Sequence, residues 1–161
     1  MGFPPMDEDL KLWVLLHQTR DAAYKVTEKE LRRLKLSPME AAVLFIVNIT
    51  GERATPAEIS RWLFRESHSI SGLIDRMEDK GLVRRNKDLD RRNLVRISLT
   101  DKARDLTASF DSPQIIPRML SALSAEQRGQ LAQCLQLLRD RALEELRIDK
   151  PPTFPSPIAA A

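Results

Sequence analysis

The apolar residues of this chain change their spacing at Gly81, and that change limits the fold more than any other feature. Before it, Ile70, Leu73, Ile74 and Met77 recur at steps of three, one and three, which is one narrow stripe along a helix. After it, Leu82-Val83-Arg84-Arg85-Asn86-Lys87 and Leu94-Val95-Arg96-Ile97-Ser98-Leu99-Thr100 alternate, with a charged tip from Asp88 to Asn93 between them. The segment predicts a helix stopped by Gly81 and then a two-stranded hairpin.

Two start signals upstream place two more helices before that one. Ser37, Pro38 and Glu40 read as an N-cap, a first-turn proline and a capping-box acid, opening a buried helix of about Pro38 to Ile49 that Gly51 closes. Thr55, Pro56 and Glu58 repeat the signal for a short helix through Leu63, with Ile59, Trp62 and Leu63 as its apolar set. Glu66-Ser67-His68-Ser69 then leads into the striped helix.

The flanks are helical as well. No Gly or Pro interrupts the run from about Met6 to Leu34, which carries two stripes: Leu10, Trp13, Val14, His17 and Tyr24, and Leu12, Leu15, Leu16, Ala22, Ala23 and Val26. A helix apolar on two sides needs two covers, one from its own domain and one from a second subunit. Helical character resumes near Asp101, with Pro113 and Pro117 marking a break or a new start. A last helix of about Ala125 to Arg147 sets Leu131, Leu135, Leu138 and Ala142 in a seam that Cys134 and Leu146 widen. The tail from Lys150 is proline-rich and too poor in core residues to fold alone.

Composition narrows the classes. With five glycines and eight aromatic residues among 161, the chain favours helices, and its length suits one domain with helical extensions. The longest apolar run, Ala41 to Val47, is far short of a membrane span. A single cysteine, Cys134, allows no internal disulfide, and nothing resembles a secretion signal, so the cytoplasm is the expected location. With two histidines and that one cysteine, no transition-metal site or cofactor is expected. Ser67, His68 and Asp75 lack the glycine-rich elbow or phosphate loop of an enzyme.

Charge is concentrated in the hairpin. Leu82 to Arg96 holds six cations against two anions, whereas Met1 to Leu34 balances six against six. Two short helices, the second with one buried stripe, followed by a basic hairpin, make the element order of a winged helix-turn-helix. The expected fold is mainly α with a small β-hairpin wing, between long N- and C-terminal dimerisation helices. If the stripe of the third helix faces inward, His68, Ser71, Gly72 and Asp75 point away from it, with Ser67, Ser69 and Arg76 on the flanks. Small hydroxyls and a glycine let such a helix approach base edges in a major groove. A winged helix used only for protein contacts is the alternative, and it has no need of a basic wing.

Several segments together are similar to the MarR family of bacterial transcription regulators. They are Leu36-Ser37-Pro38, Ala57-Glu58-Ile59-Ser60, the run Ile74 to Arg85, Asp90-Arg91-Arg92 and Ser98-Leu99-Thr100-Asp101-Lys102-Ala103, within roughly Leu36 to Leu106. The resemblance implies a homodimer on an inverted-repeat double-stranded DNA operator, recognition helices in the major groove and wing arginines at the minor groove. It also implies an anionic or phenolic effector between the dimer helices and the DNA-binding lobe, most often with repression as the outcome. DNA contacts are then expected from Ser67, His68, Ser69, Ser71, Gly72, Arg76, Arg91, Arg92 and Asn93. The chain departs from the family at Phe64-Arg65, where the turn usually has a glycine. It also has one residue more than usual between Arg92 and Leu99, so Arg91 and Arg92 share the minor-groove role.

The resulting organisation is a dimerisation helix over 1–36, a DNA-binding lobe over 37–104, dimerisation helices over 105–149 and a tail over 150–161. Trp13, His17 and Tyr24 share one face of the first helix, with Asp21 one turn beyond His17. They serve either a pocket for an aromatic acid or a packed dimer interface. Cys134 could pair across an interface or sense oxidants, though it has no cation one turn away to activate it.

Overall fold

The computed structural model describes residues 7–51, 54–87, 94–108, 115–148 and 152. The chain divides into two compact units, residues 1–41 and 42–161, and the division falls inside a helix.

In the first unit, α1 (Glu8–Arg33) starts where the Asp7 carboxylate accepts the Leu10 N–H at 2.7 Å. That cap sets the start after the expected Met6, which lies outside the described residues. The helix ends without glycine. Lys35 turns to φ 56°, its N–H reaching the Arg32 carbonyl while the Leu36 N–H reaches that of Leu31, a Schellman closure. Ser37 and Glu40 form the expected box, exchanging bonds of 2.8 and 3.2 Å at the head of α2 (Pro38–Thr50). Along α1 only Leu31 is buried. Leu10, Leu12, Trp13, Leu15, Tyr24 and Val26 are all exposed, whereas Val14, Leu16 and Ala23 are half-buried.

The second unit holds the core. Val43, Leu44, Ile46 and Val47 of α2 are buried, as are Ile59 of α3 (Pro56–Leu63) and all four stripe residues of α4 (Ser67–Asp79): Ile70, Leu73, Ile74 and Met77. Gly81 takes φ 66° at the end of α4, where the sequence needed a residue without a Cβ. Strands β1 (Val83–Lys87) and β2 (Val95–Leu99) then pair antiparallel, from Val83 opposite Leu99 to Lys87 opposite Val95. The outer edge of β2 is not left bare, because the Ile97 N–H donates to the Ala54 carbonyl at 2.8 Å. Helices α5 (Asp101–Ala108), α6 (Ile115–Leu120) and α7 (Ala125–Glu145) follow. Pro117 sits in the first turn of α6, where a missing N–H costs nothing, so it marks a new start. Ser124 and Gln127 form a capping box at the head of α7 that the sequence reading did not pick out. The expected seam of α7 is exposed, and no residue of that helix is buried.

Thr100 joins hairpin to helix. Its buried hydroxyl donates to the Gly81 carbonyl at 2.7 Å and accepts the Ala103 N–H at 3.2 Å, while its own N–H donates to the Leu82 carbonyl. One side chain therefore caps α5 and fixes the entry of β1. Replacing Thr100 by Val keeps the shape and removes the hydroxyl, leaving buried polar groups unpaired. Urea unfolding should show a loss of about 1–3 kcal/mol with an unchanged m-value.

Candidate nucleic-acid interface

Burial of one stripe leaves the rest of α4 facing outward. Ser67, His68, Ser69, Ser71 and Arg76 are exposed and Gly72 is half-buried, so the helix members of the expected contact set share the solvent side of one element. Ser71 bonds back to the Ser67 carbonyl at 3.0 Å, and the Ser69 hydroxyl lies 3.4 Å from His68 Nε2. A Cβ added at Gly72 would meet Arg76 Nη1 at 3.7 Å, an ordinary contact. The glycine therefore keeps the surface low beneath the Arg76 guanidinium without being required by backbone conformation.

The turn ahead of α4 solves its missing glycine by placing Phe64 at φ 50°, ψ 46°. The Arg65 N–H returns to the Ser60 carbonyl at 3.1 Å, and the Ser60 hydroxyl donates to the Arg65 carbonyl, which pins the turn from both sides. Thr55 caps α3 as expected, accepting the Glu58 N–H at 3.1 Å. The Glu58 carboxylate does not complete a box there. It takes the Trp62 indole N–H at 3.0 Å and pairs with Arg61, spending its charge along α3.

Arg85 corrects the simple charge picture of the hairpin. Its Nη1 lies 2.6 Å from Asp75 Oδ1 and 2.8 Å from Glu78 Oε2, its backbone N–H donates to Glu78 Oε1 at 3.0 Å, and Nη2 donates to the Ser71 carbonyl at 3.3 Å. One of the six hairpin cations is therefore committed to α4, and Asp75, expected on the groove-facing side, is neutralised by it. The carboxylates of Asp75 and Glu78 on the outer surface of α4 would repel phosphates, and Arg85 offsets part of that repulsion while fixing β1 against the helix. Sequence reasoning missed this residue because α4 and β1 meet across Gly81. The only signal is an acid at 78 and a cation at 85 on either side of a stop. Arg84, next along, points to the other face of the hairpin and is exposed.

The remaining expected contacts, Arg91, Arg92 and Asn93, lie outside the described residues, as do the rest of the tip from Asp88 and Pro113. On α1, Trp13 and His17 meet edge to face with ring centroids 4.7 Å apart. Tyr24 is exposed further along, and Asp21 pairs with Arg20 at 2.6 Å instead of serving His17.

A model of the MarR family matches residues 34–93, the stretch that contains α2 to β1 and the hairpin tip. Over this stretch the chain is similar to the MarR family of transcription regulators. It is 26% identical over 142 residues to an uncharacterized HTH-type transcriptional regulator, YfiV of Bacillus subtilis, with 87% of this chain and 88% of that protein covered. Among solved structures it resembles an organohalide-sensing transcriptional regulator in its 2,4-dichlorophenol-bound form, at 28% identity and a TM-score of 0.81, over 97% of this chain and 95% of that one. The transcriptional regulator BldR from Sulfolobus solfataricus matches at 26% identity and a TM-score of 0.68, over 86% of this chain and 99% of its own. These relatives are transcription regulators, and the winged helix-turn-helix expected from the element order is the fold they share with this chain. No helix among the described residues is long and apolar enough to cross a membrane, and no cluster there could hold a metal ion.

Glu78 gives this interface a dependence on acidity. The Arg85 backbone N–H, and then the Arg85 guanidinium, hold its carboxyl below the usual carboxylate range. A depressed folded value means that the contribution is complete above the unfolded carboxylate value, about pH 4, and is lost as pH falls through the folded one. Glu78→Gln should therefore cost about 1 kcal/mol at neutral pH, the size expected for a half-exposed charged hydrogen bond. Unfolding curves of variant and wild type should converge on acidification below about pH 4.

Proposed function

We propose that this chain is a MarR-family member, a cytoplasmic, sequence-specific DNA-binding transcription regulator that binds an inverted-repeat operator as a homodimer and acts as an effector-responsive repressor. The observation that carries the reading is α4: one buried stripe, an outward face of Ser67, His68, Ser69, Ser71 and Arg76, and two of its three acids, Asp75 and Glu78, paired with Arg85 from the hairpin. In this reading residues 37–104 form the DNA-binding lobe, α4 enters the major groove, and Arg91, Arg92 and Asn93 reach the neighbouring minor groove or backbone.

Residues 1–36 and 105–149 serve dimerisation. Support comes from each helix separately: α1 exposes Leu12 and Trp13, and α7 exposes Leu131, Leu135, Leu137 and Leu138, apolar area that a second copy would remove from water. The dichlorophenol bound to the organohalide-sensing relative supports a phenolic or anionic effector, for which Trp13, His17 and Tyr24 supply an aromatic wall. Light scattering should give twice the chain mass at micromolar concentration, and a folded monomer there would refute the assembly.

DNA competition separates positioning from reading. Changing Arg91 and Arg92 to Ala should weaken operator and random duplex alike and flatten the plot of log affinity against log salt by about one unit per lost phosphate contact. Changing His68 or Ser71 to Ala should cost about 1–3 kcal/mol on the operator and leave random duplex nearly unchanged. The reverse pattern would exchange the roles of wing and helix. Absence of binding to any duplex would leave the winged helix as a protein-contact module.

A further inference from the structure

The clamp on α4 is one-sided. Arg85 meets Ser71, Asp75 and Glu78, three residues that share one edge of the helix. Arg76 projects from the opposite flank and is exposed. Among the described residues no carboxylate pairs with it, and two of the acids beside it, Asp75 and Glu78, are held by Arg85. Its guanidinium folds back one turn, so that a Cβ at Gly72 would meet Nη1 at 3.7 Å. Side chains of a helix lean toward its N-terminus, and this one carries its charge toward the end that a recognition helix inserts into a groove. Gly72 itself has no structural reason to be glycine. Its φ is not positive, and an added Cβ would find no closer neighbour than that guanidinium. Alanine would fit, and an interior glycine weakens a helix more than any residue but proline. What a missing Cβ offers in return is close approach of another molecule to the backbone.

Arginine carries donors alone, in a flat fork. Of the four bases only guanine shows two acceptors, O6 and N7, on its major-groove edge without a donor between or beside them. We propose that Arg76 reads a guanine in each operator half-site through this bidentate pair, and that Gly72 is the gap that lets α4 sink far enough for the fork to reach it. A phosphate contact would gain nothing from the gap, because phosphates line the rim of the groove and base edges form its floor. The assignment rests on the DNA-binding reading above and adds to it which base is read and by which residue.

The test selects duplexes from a pool with a randomised centre, using the full chain as wild type and as Arg76→Ala. Wild type should retain a guanine at one position of each half-site. Arg76→Ala should accept every base there and keep its preferences elsewhere, which also shows that it folds. In the duplex selected by wild type, exchanging that guanine for 7-deazaguanine removes only the N7 acceptor. The exchange should weaken wild type at least about fivefold and leave Arg76→Ala unchanged. Gly72→Ala should raise the thermal midpoint by about 2–4 °C, yet weaken the selected duplex at least about tenfold with scrambled duplex unaffected. A lowered midpoint would make the glycine structural and overturn the gap. Full affinity in Arg76→Lys, or an equal loss on selected and scrambled duplex in Arg76→Ala, would make Arg76 a phosphate contact and overturn the base assignment. A guanine that Arg76→Ala still selects would overturn the assignment alone, whereas a wild type that selects no sequence would overturn the DNA-binding reading together with it.

Discussion

A helix that must offer most of its circumference to a ligand can be held by one narrow stripe only, and the structure around α4 follows from that constraint. Ile70, Leu73, Ile74 and Met77 are all buried, and at about 1.5–3 kcal/mol for each side chain they outweigh any single polar contact of the helix. Burial fixes α4 to the core but leaves it free to rotate by small angles about its own axis, because apolar contact has no direction. Arg85 removes that freedom. Its bonds to Asp75, Glu78 and the Ser71 carbonyl are directional and reach one edge of the helix. An exposed pair of about 1 kcal/mol adds little to stability, yet it suffices to choose between orientations that burial leaves nearly equal.

Helix starts and ends both fall within two residues of those expected, but the chemistry of the starts was legible in the sequence and that of several ends was not. Ser37 and Thr55 cap as their side chains dictate, because a short oxygen-bearing side chain at that position has few other uses. Several stops depended on a left-handed residue, and composition announced it at Gly51 and Gly81 but not elsewhere. Lys35, Phe64 and Arg147 adopt the same conformation, at φ 56°, 50° and 50°, each with the same pair of returning N–H bonds. What holds them is the residue that follows: Leu36 is buried and Ile148 half-buried, while the Arg65 carbonyl is taken by Ser60. Tertiary burial and a side-chain bond supply what glycine supplies elsewhere, and neither is visible in a local window. For this reason the missing glycine at Phe64-Arg65, a departure from the family pattern, leaves the turn intact.

The stripe of α4 and the alternation of the hairpin were read correctly because a period of 3.6 or 2 is a local property. Net charge was not a local property. Counting six cations between Leu82 and Arg96 treats them as one patch, but a strand sends neighbours to opposite faces. Arg85 therefore belongs to the helix side, and Arg84 and Arg96 to the other. A face-by-face count is the version of the charge argument that the backbone supports. The same reasoning explains why Asp75, placed opposite the stripe by helical angle alone, is not a bare acid on a surface proposed to meet DNA.

A two-stranded hairpin has little stability of its own, so its position is set by what holds its base. Ala54 accepts from Ile97 on the outer edge, Thr100 ties the end of β2 to the start of β1 and to α5, and Arg85 ties β1 to α4. The three anchors pull on different sides of a narrow ribbon. A change at any of them is carried outward by the ladder, because a strand resists bending within the sheet more than it resists twisting at its base. The hairpin is thus placed by directional polar bonds at its base together with the burial of Val83, Ile97 and Leu99, whereas α4 rests on four buried side chains and takes its orientation from Arg85.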